Sequence, residues 1–171
     1  LQTPRPHPDV EGLLQNPDCE KFLNGLLNEI SKFGEPYSRD FRKVDAAAEP
    51  YFRYHSYPPD SSVVGGTPGR IIGDPYLEIF MDAGKARPGS WFALEYIAIH
   101  ETIHAAATSG TGYTHEQMAI AAYNVAPEAV LKSLKNSNTP GPPDISGAPH
   151  ADQHNSELFN QILWRACPPR R

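Results

Sequence analysis

Apolar positions recur along this chain with two different periods, and the period assigns the elements. Cys19, Phe22, Leu23, Leu26, Leu27, Ile30 and Phe33 return every three or four residues, the spacing of one helical face. Asn16-Pro17 reads as the N-cap and first residue of that helix, and Gly34 as its C-cap. A second helix is predicted over Arg39 to Ala48. Tyr51 to Tyr57 alternates and is aromatic-rich, a strand stopped by Pro58-Pro59. Val63 to Pro68 reads as a Gly-rich turn, and Pro75 to Asp82 as another strand. From Trp91 to Thr108 there is neither Gly nor Pro, and most positions are apolar. That run is too long for an ordinary strand and fits a buried helix, with Ser90 as N-cap and Gly110 and Gly112 as stops. Thr114 is the expected N-cap of a helix from His115 to Asn124, with Glu116 and Gln117 in its first turn. Ala126 to Lys135 forms a further helix. Leu158, Phe159, Ile162 and Leu163 mark the last one, Asn155 to Ala166. Residues 136–149 form a long Pro/Gly-rich loop, and residues 1–8 an extended Pro-rich segment. The pattern predicts one α+β domain over residues 1–171, mainly helical with a small antiparallel sheet.

Inside the most apolar of these helices lies His100-Glu101-Thr102-Ile103-His104. On a helix the two histidines stand one turn apart on one face, where both imidazoles can hold a metal ion. Random order gives H-E-x-x-H in roughly 2% of chains of this composition, so the motif alone is weak. Its context strengthens it. Two imidazoles and a carboxylate in a buried helix are costly unless something satisfies them, and a metal ion does.

Composition changes the picture modestly. The chain has 171 residues, a net charge of -5 and 20% charged residues, the balance of an ordinary globular domain. No basic stripe points to nucleic acid, and no apolar run has the length of a membrane span. Oligomeric state is not readable. The sequence starts at Leu1 without a Met, which either a processing event or a simple boundary upstream explains; a removed secretory signal peptide would fit. The two cysteines, Cys19 and Cys167, stand near opposite ends, each on an apolar helix. Either both are buried thiols or they join the terminal helices as a disulfide, and the disulfide reading favours a secreted or periplasmic protein.

A catalytic Zn²⁺ usually takes three protein ligands and keeps one open position. His115 is the first candidate for the third, because a short Gly-containing loop lets it fold back over the H-E-x-x-H helix. Glu116 is the alternative. His150, Asp152 and His154, ahead of the last helix, are further rivals; a polar loop or an N-cap would also explain them. His55, on the aromatic strand, is either one half of the strand alternation or an inward-facing partner of the ligands. Tyr113, between the Gly-rich turn and His115, is either a packed loop tyrosine or an oxyanion donor.

The motif on an apolar helix, preceded by the strand Leu77 to Asp82, resembles the zincin class of metallopeptidases over roughly residues 75–125. The stretches Pro17-Asp18-Cys19 and Asn155 to Cys167 are similar to the ends of secreted bacterial proteins with an H-E-x-x-H core. The resemblance implies a zincin-like fold and a Zn²⁺ cofactor. It implies a peptide or protein substrate paired along the strand before the helix, with Glu101 as the proton-transfer group. Ala107 and Gly110 stand where the metzincin pattern needs Gly and His, so the chain is not a metzincin. The other reading is a secreted binding or structural domain on the same scaffold, without turnover.

Overall fold

The computed structural model of this protein describes residues 8–48, 50–54, 65–66, 77–82, 84–108, 112–137 and 141–169. Helix α1, Pro8–Leu14, comes first and buries Val10, Leu13 and Leu14. It overturns the end of the expected extended segment: Pro8 starts a helix, because its fixed φ suits the first turn. Residues 1–7 lie outside the described residues.

Helix α2, Pro17–Ile30, starts where expected. The Asn16 side chain accepts the Asp18 amide hydrogen, and Cys19, Phe22, Leu23, Leu26, Leu27 and Ile30 are its buried face. A 3-10 turn, Ser31–Phe33, leads to Gly34. Helix α3, Phe41–Ala48, buries Phe41 and Val44.

Three short strands follow: β1, Pro50–Tyr54; β2, Gly65–Gly66; and β3, Leu77–Met81. Their order is β1-β3-β2, with β1 parallel and β2 antiparallel to β3. The sheet is therefore mixed and not antiparallel as expected. The chain between Tyr54 and Leu77 is long enough for the crossover that a parallel pair needs. Gly65-Gly66, expected as part of a turn, is the short edge strand. The expected second half of the aromatic strand, including His55, lies outside the described residues. Ile79 and Met81, two apart, point into the core.

Helix α4, Leu94–Ala105, carries the H-E-x-x-H motif and is buried from Tyr96 to Ile103. It packs against α1, α3 and strands β2 and β3, which is why it is apolar on nearly every side. It starts later than expected. Ser90 Oγ accepts the Phe92 amide hydrogen and donates to the Arg87 carbonyl, so it closes a turn and does not cap the helix.

Helix α5, His115–Val125, helix α6, Glu128–Asn136, and helix α7, Ala151–Ala166, complete the chain. Helix α5 lies between α2 and α7, and α7 also reaches α4. The last helix starts four residues earlier than expected, so Asp152 sits in its first turn and not in a loop.

Cys19 and Cys167 form a disulfide, with 4.6 Å between their Cα atoms and a sequence separation of 148. Cross-linking a loop of that size removes about 5 kcal/mol of unfolded-chain entropy in the loop-closure description. The bond fixes the end of α7 to the start of α2. Tyr96 Oη donates to the Cys167 carbonyl at 2.6 Å, which ties the start of α4 to the same point.

Candidate metal centre

Helix α4 supplies the first two groups of the site. His100 and His104 are one turn apart, and their Nε2 atoms lie 3.1 Å from each other. The chain then reverses within a few residues. Tyr113 N–H donates to the His104 carbonyl at 3.1 Å. Gly112 permits that approach: its φ is +99°, and a Cβ there would fall 2.5 Å from the His104 carbonyl oxygen. A clamp from the segment after α2 holds the reversal, with Tyr37 N–H on the Ala106 carbonyl and Thr108 Oγ1 on the Glu35 carbonyl.

Thr114 then starts α5 with a reciprocal capping box, its hydroxyl taking the Gln117 amide hydrogen and the Gln117 side chain taking that of Thr114. This cap fixes His115 as the first helical residue. Its Nε2 comes to 3.1 Å from His100 Nε2. The ligand atoms of His100, His104 and His115 all lie within 4.8 Å of one another, so the three can hold a metal ion. Nitrogens about 2.1 Å from a tetrahedral ion stand roughly 3.4 Å apart, close to the 3.1 Å contacts here.

The other ring nitrogens decide what those contacts mean. His100 Nδ1 meets the Asn160 side-chain oxygen at 2.8 Å, His104 Nδ1 the Tyr113 carbonyl at 2.6 Å, and His115 Nδ1 an Asp152 carboxylate oxygen at 2.9 Å. Each partner is an acceptor, so each neutral ring carries its proton on Nδ1. Three Nε2 lone pairs then face one another with no proton between them. That arrangement is repulsive by itself and becomes favourable around a cation. Oxygen acceptors behind ligating imidazoles are also how metal sites orient their histidines.

Electrostatics favour the same protonation state. Burial, then the neighbouring imidazoles, hold His100 well below its ordinary value; its bond to Asn160 opposes them weakly. Burial, then His115, lower His104 to about 4. Both rings are neutral at pH 7 and ready to ligate.

Compared with protein-family models, curated proteins and solved structures, the chain matches none. The functional reading therefore rests on the site's own chemistry.

The expected groups distribute as follows. His100, His104 and His115 come together, and Glu116, the alternative to His115, is not in the group. Asp152, a rival ligand, supports His115 from behind. His150 bonds Asp144 and His154 bonds the Pro142 carbonyl, so both leave the list of ligands. The Tyr113 hydroxyl donates to the Gly34 carbonyl, and its backbone carbonyl meets His104 Nδ1. Asn160 went unnoticed in the sequence. Glu101 is buried between the two ligands of α4 and lines both hollows that flank the histidines. One, of about 410 Å³, runs between α4 and α7. The other, of about 340 Å³, lies over His104 and Gly112. The strand expected along the cleft, β3, pairs with β1 on one side and, at Phe80 and Met81, with β2 on the other; among the described residues Gly65 of β2 borders the cleft.

Two outcomes follow from this geometry. Asn160→Ala and Asp152→Ala should each weaken metal affinity within the 10–100-fold range of such partners. Asn160 is 6% exposed and belongs near the upper end; the Asp152 side chain is 78% exposed and belongs near the lower. Competition with a chromophoric chelator measures both, and unchanged affinity in the two variants contradicts the assignment. The second outcome concerns pH. His104 titrates near 6.5 when unfolded and about 4 when folded, so between those values the unfolded chain binds a proton that the folded chain refuses. The metal-free protein should lose stability as pH falls from 6.5 towards 4, and His100 acts in the same direction. Urea midpoints in chelator at pH 7 and pH 4.5 test this; an equal or higher midpoint at pH 4.5 contradicts buried neutral imidazoles.

Proposed function

We propose that this protein is a zinc-dependent peptidase of zincin type that works outside the cytoplasm. The observation that carries the reading is the set of three imidazoles whose ligand atoms lie within 4.8 Å of one another, with Glu101 beside them and a hollow on either side. An all-imidazole set suits zinc, as it does copper, iron and nickel, and three protein ligands are the number typical of a catalytic zinc site. Asp152, the residue that would have closed the site as a fourth ligand, is engaged with His115 Nδ1 instead. That favours catalysis over a purely structural ion.

When bound, zinc supplies Lewis acidity, which brings the pKa of water towards about 7 and polarises a carbonyl oxygen. The chain's own residues do the rest. His100, His104 and His115 hold the ion, and Asn160, the Tyr113 carbonyl and Asp152 fix the three rings. Glu101, next to His100 in the chain and bordering both hollows, takes a proton from water and delivers it to the departing amine. The two hollows meet at Glu101, His115 and Asp152, so an extended peptide can cross the ion with residues on both sides.

The buried disulfide supports an oxidising compartment. No helix among the described residues is long and apolar enough to cross a membrane. The substrate in this reading is a peptide or unfolded protein.

Glu101→Gln should keep its metal and lose at least about 100-fold in hydrolysis of an unfolded protein, the scale of general acid–base catalysis. Metal content and digestion rate, with and without chelator, read the two effects separately. A variant that digests as fast as the parent, or a metal-loaded parent that digests nothing, contradicts the proposal.

A further inference from the structure

The larger hollow has two unlike walls. Helix α7 contributes the carboxylates of Asp152 and Glu157 to its lining, and Trp91, Phe92 and Ile97 contribute an apolar part. Trp91 and Phe92 have ring centroids 3.9 Å apart and are half-buried, outside the apolar core that α4 shares with α7. Of the charged side chains among the described residues that line the hollow, Glu101, Asp152 and Glu157 are acidic, and none is lysine or arginine.

Two of those carboxylates are already assigned. Asp152 holds His115, and Glu101 lies beside the ligands on α4. Together they offset the double positive charge of an ion held by neutral imidazoles. Glu157 is left as the charge that a substrate side chain meets. One of its oxygens accepts from Gln153 Nε2 at 3.2 Å, which steadies the carboxylate and leaves it further acceptor capacity.

We propose that this hollow is a subsite for a cationic side chain of the arginine or lysine type, with Glu157 as the specificity-determining residue. The proposal rests on the peptidase reading for its substrate class. The alkyl stem lies along Trp91 and Phe92, whose ring faces also attract a cation. The guanidinium or ammonium group pairs with Glu157 in a charge-assisted hydrogen bond, and arginine suits both walls at once because it stacks and forks. An acidic side chain meets repulsion there. A purely apolar one desolvates Glu157 without replacing its hydrogen bonds. The volume of about 410 Å³ accommodates one long side chain with the backbone that carries it.

The test uses the full chain carrying Glu101→Gln and loaded with zinc, so that peptides bind without turnover. Fluorescently labelled, end-blocked Ala/Gly octapeptides with one arginine are compared with the same peptides carrying citrulline, the neutral isostere. The arginine peptide should bind about tenfold more tightly, the worth of one charge-assisted hydrogen bond. Adding Glu157→Gln should bring the two within about twofold, and Glu157→Lys should invert the preference towards a glutamate peptide; zinc content, measured on each variant, should be unchanged. Equal binding of arginine and citrulline peptides overturns the proposal, and so does a preference that survives Glu157→Gln or failure of every peptide to bind. Cleavage by the parent enzyme is scored separately. An arginine preference in binding without cleavage keeps the subsite and removes the peptidase, whereas cleavage with no binding preference removes the subsite and keeps the peptidase.

Discussion

Three imidazole nitrogens whose lone pairs face one another share a partly buried site, with His100 Nε2 3.1 Å from each of the other two, and much of the fold serves to hold them there. Nothing in the rings favours that approach. Each is turned inward by an oxygen on its far nitrogen, and those oxygens come from three places: the chain reversal after α4 and two separate turns of α7. Without a cation the cluster is a cost carried by the rest of the structure; with one it becomes a source of stability, because an ion that binds only the folded state shifts folding by mass action.

The scaffold follows from that demand. Helix α4 is apolar on nearly all sides because α1, α3 and the small sheet surround it, and the polar line of His100, Glu101 and His104 faces the opening. Gly112 and the clamp from residues 34–37 let the chain fold back at van der Waals distance over His104. The capping box at Thr114 then makes His115 the first residue of α5. Helix α7 closes the arrangement: Phe159 packs edge-on against the His100 ring at 5.4 Å, Asn160 bonds the same ring, and Asp152 reaches His115. The disulfide and the Tyr96 bond to the Cys167 carbonyl anchor the far end of α7 to α2 and α4.

How much of this was legible depended on the range of the interaction that decides each element. The H-E-x-x-H spacing, the Asn16-Pro17 start and the Thr114 cap are local, and the sequence states them directly. His115 was legible as a member of the histidine cluster because a Gly-rich loop and a cap fixed its position after the helix. Asp152 and Asn160 were not assigned as partners, since they act on histidines 37 and 60 positions away. Helix α7 starts early at Ala151 with no side-chain cap, so its first turn reads as loop. Ser90 has the chemistry of a helix cap but spends it on the preceding turn. Gly65-Gly66 has no side chains to announce a strand, and only pairing with β3 makes it one. The same pairing places a strand on each side of β3, which the sequence pattern of an isolated strand cannot register.

The most direct test of the metal centre is X-ray absorption at the zinc edge of the protein carrying one equivalent of zinc. The account predicts a first shell of four light scatterers near 2.0–2.1 Å, with the outer-shell signature of three imidazoles and the fourth position filled by solvent oxygen. A first shell of oxygens alone, a thiolate or four protein ligands, or zinc that stays in free solution, would contradict it.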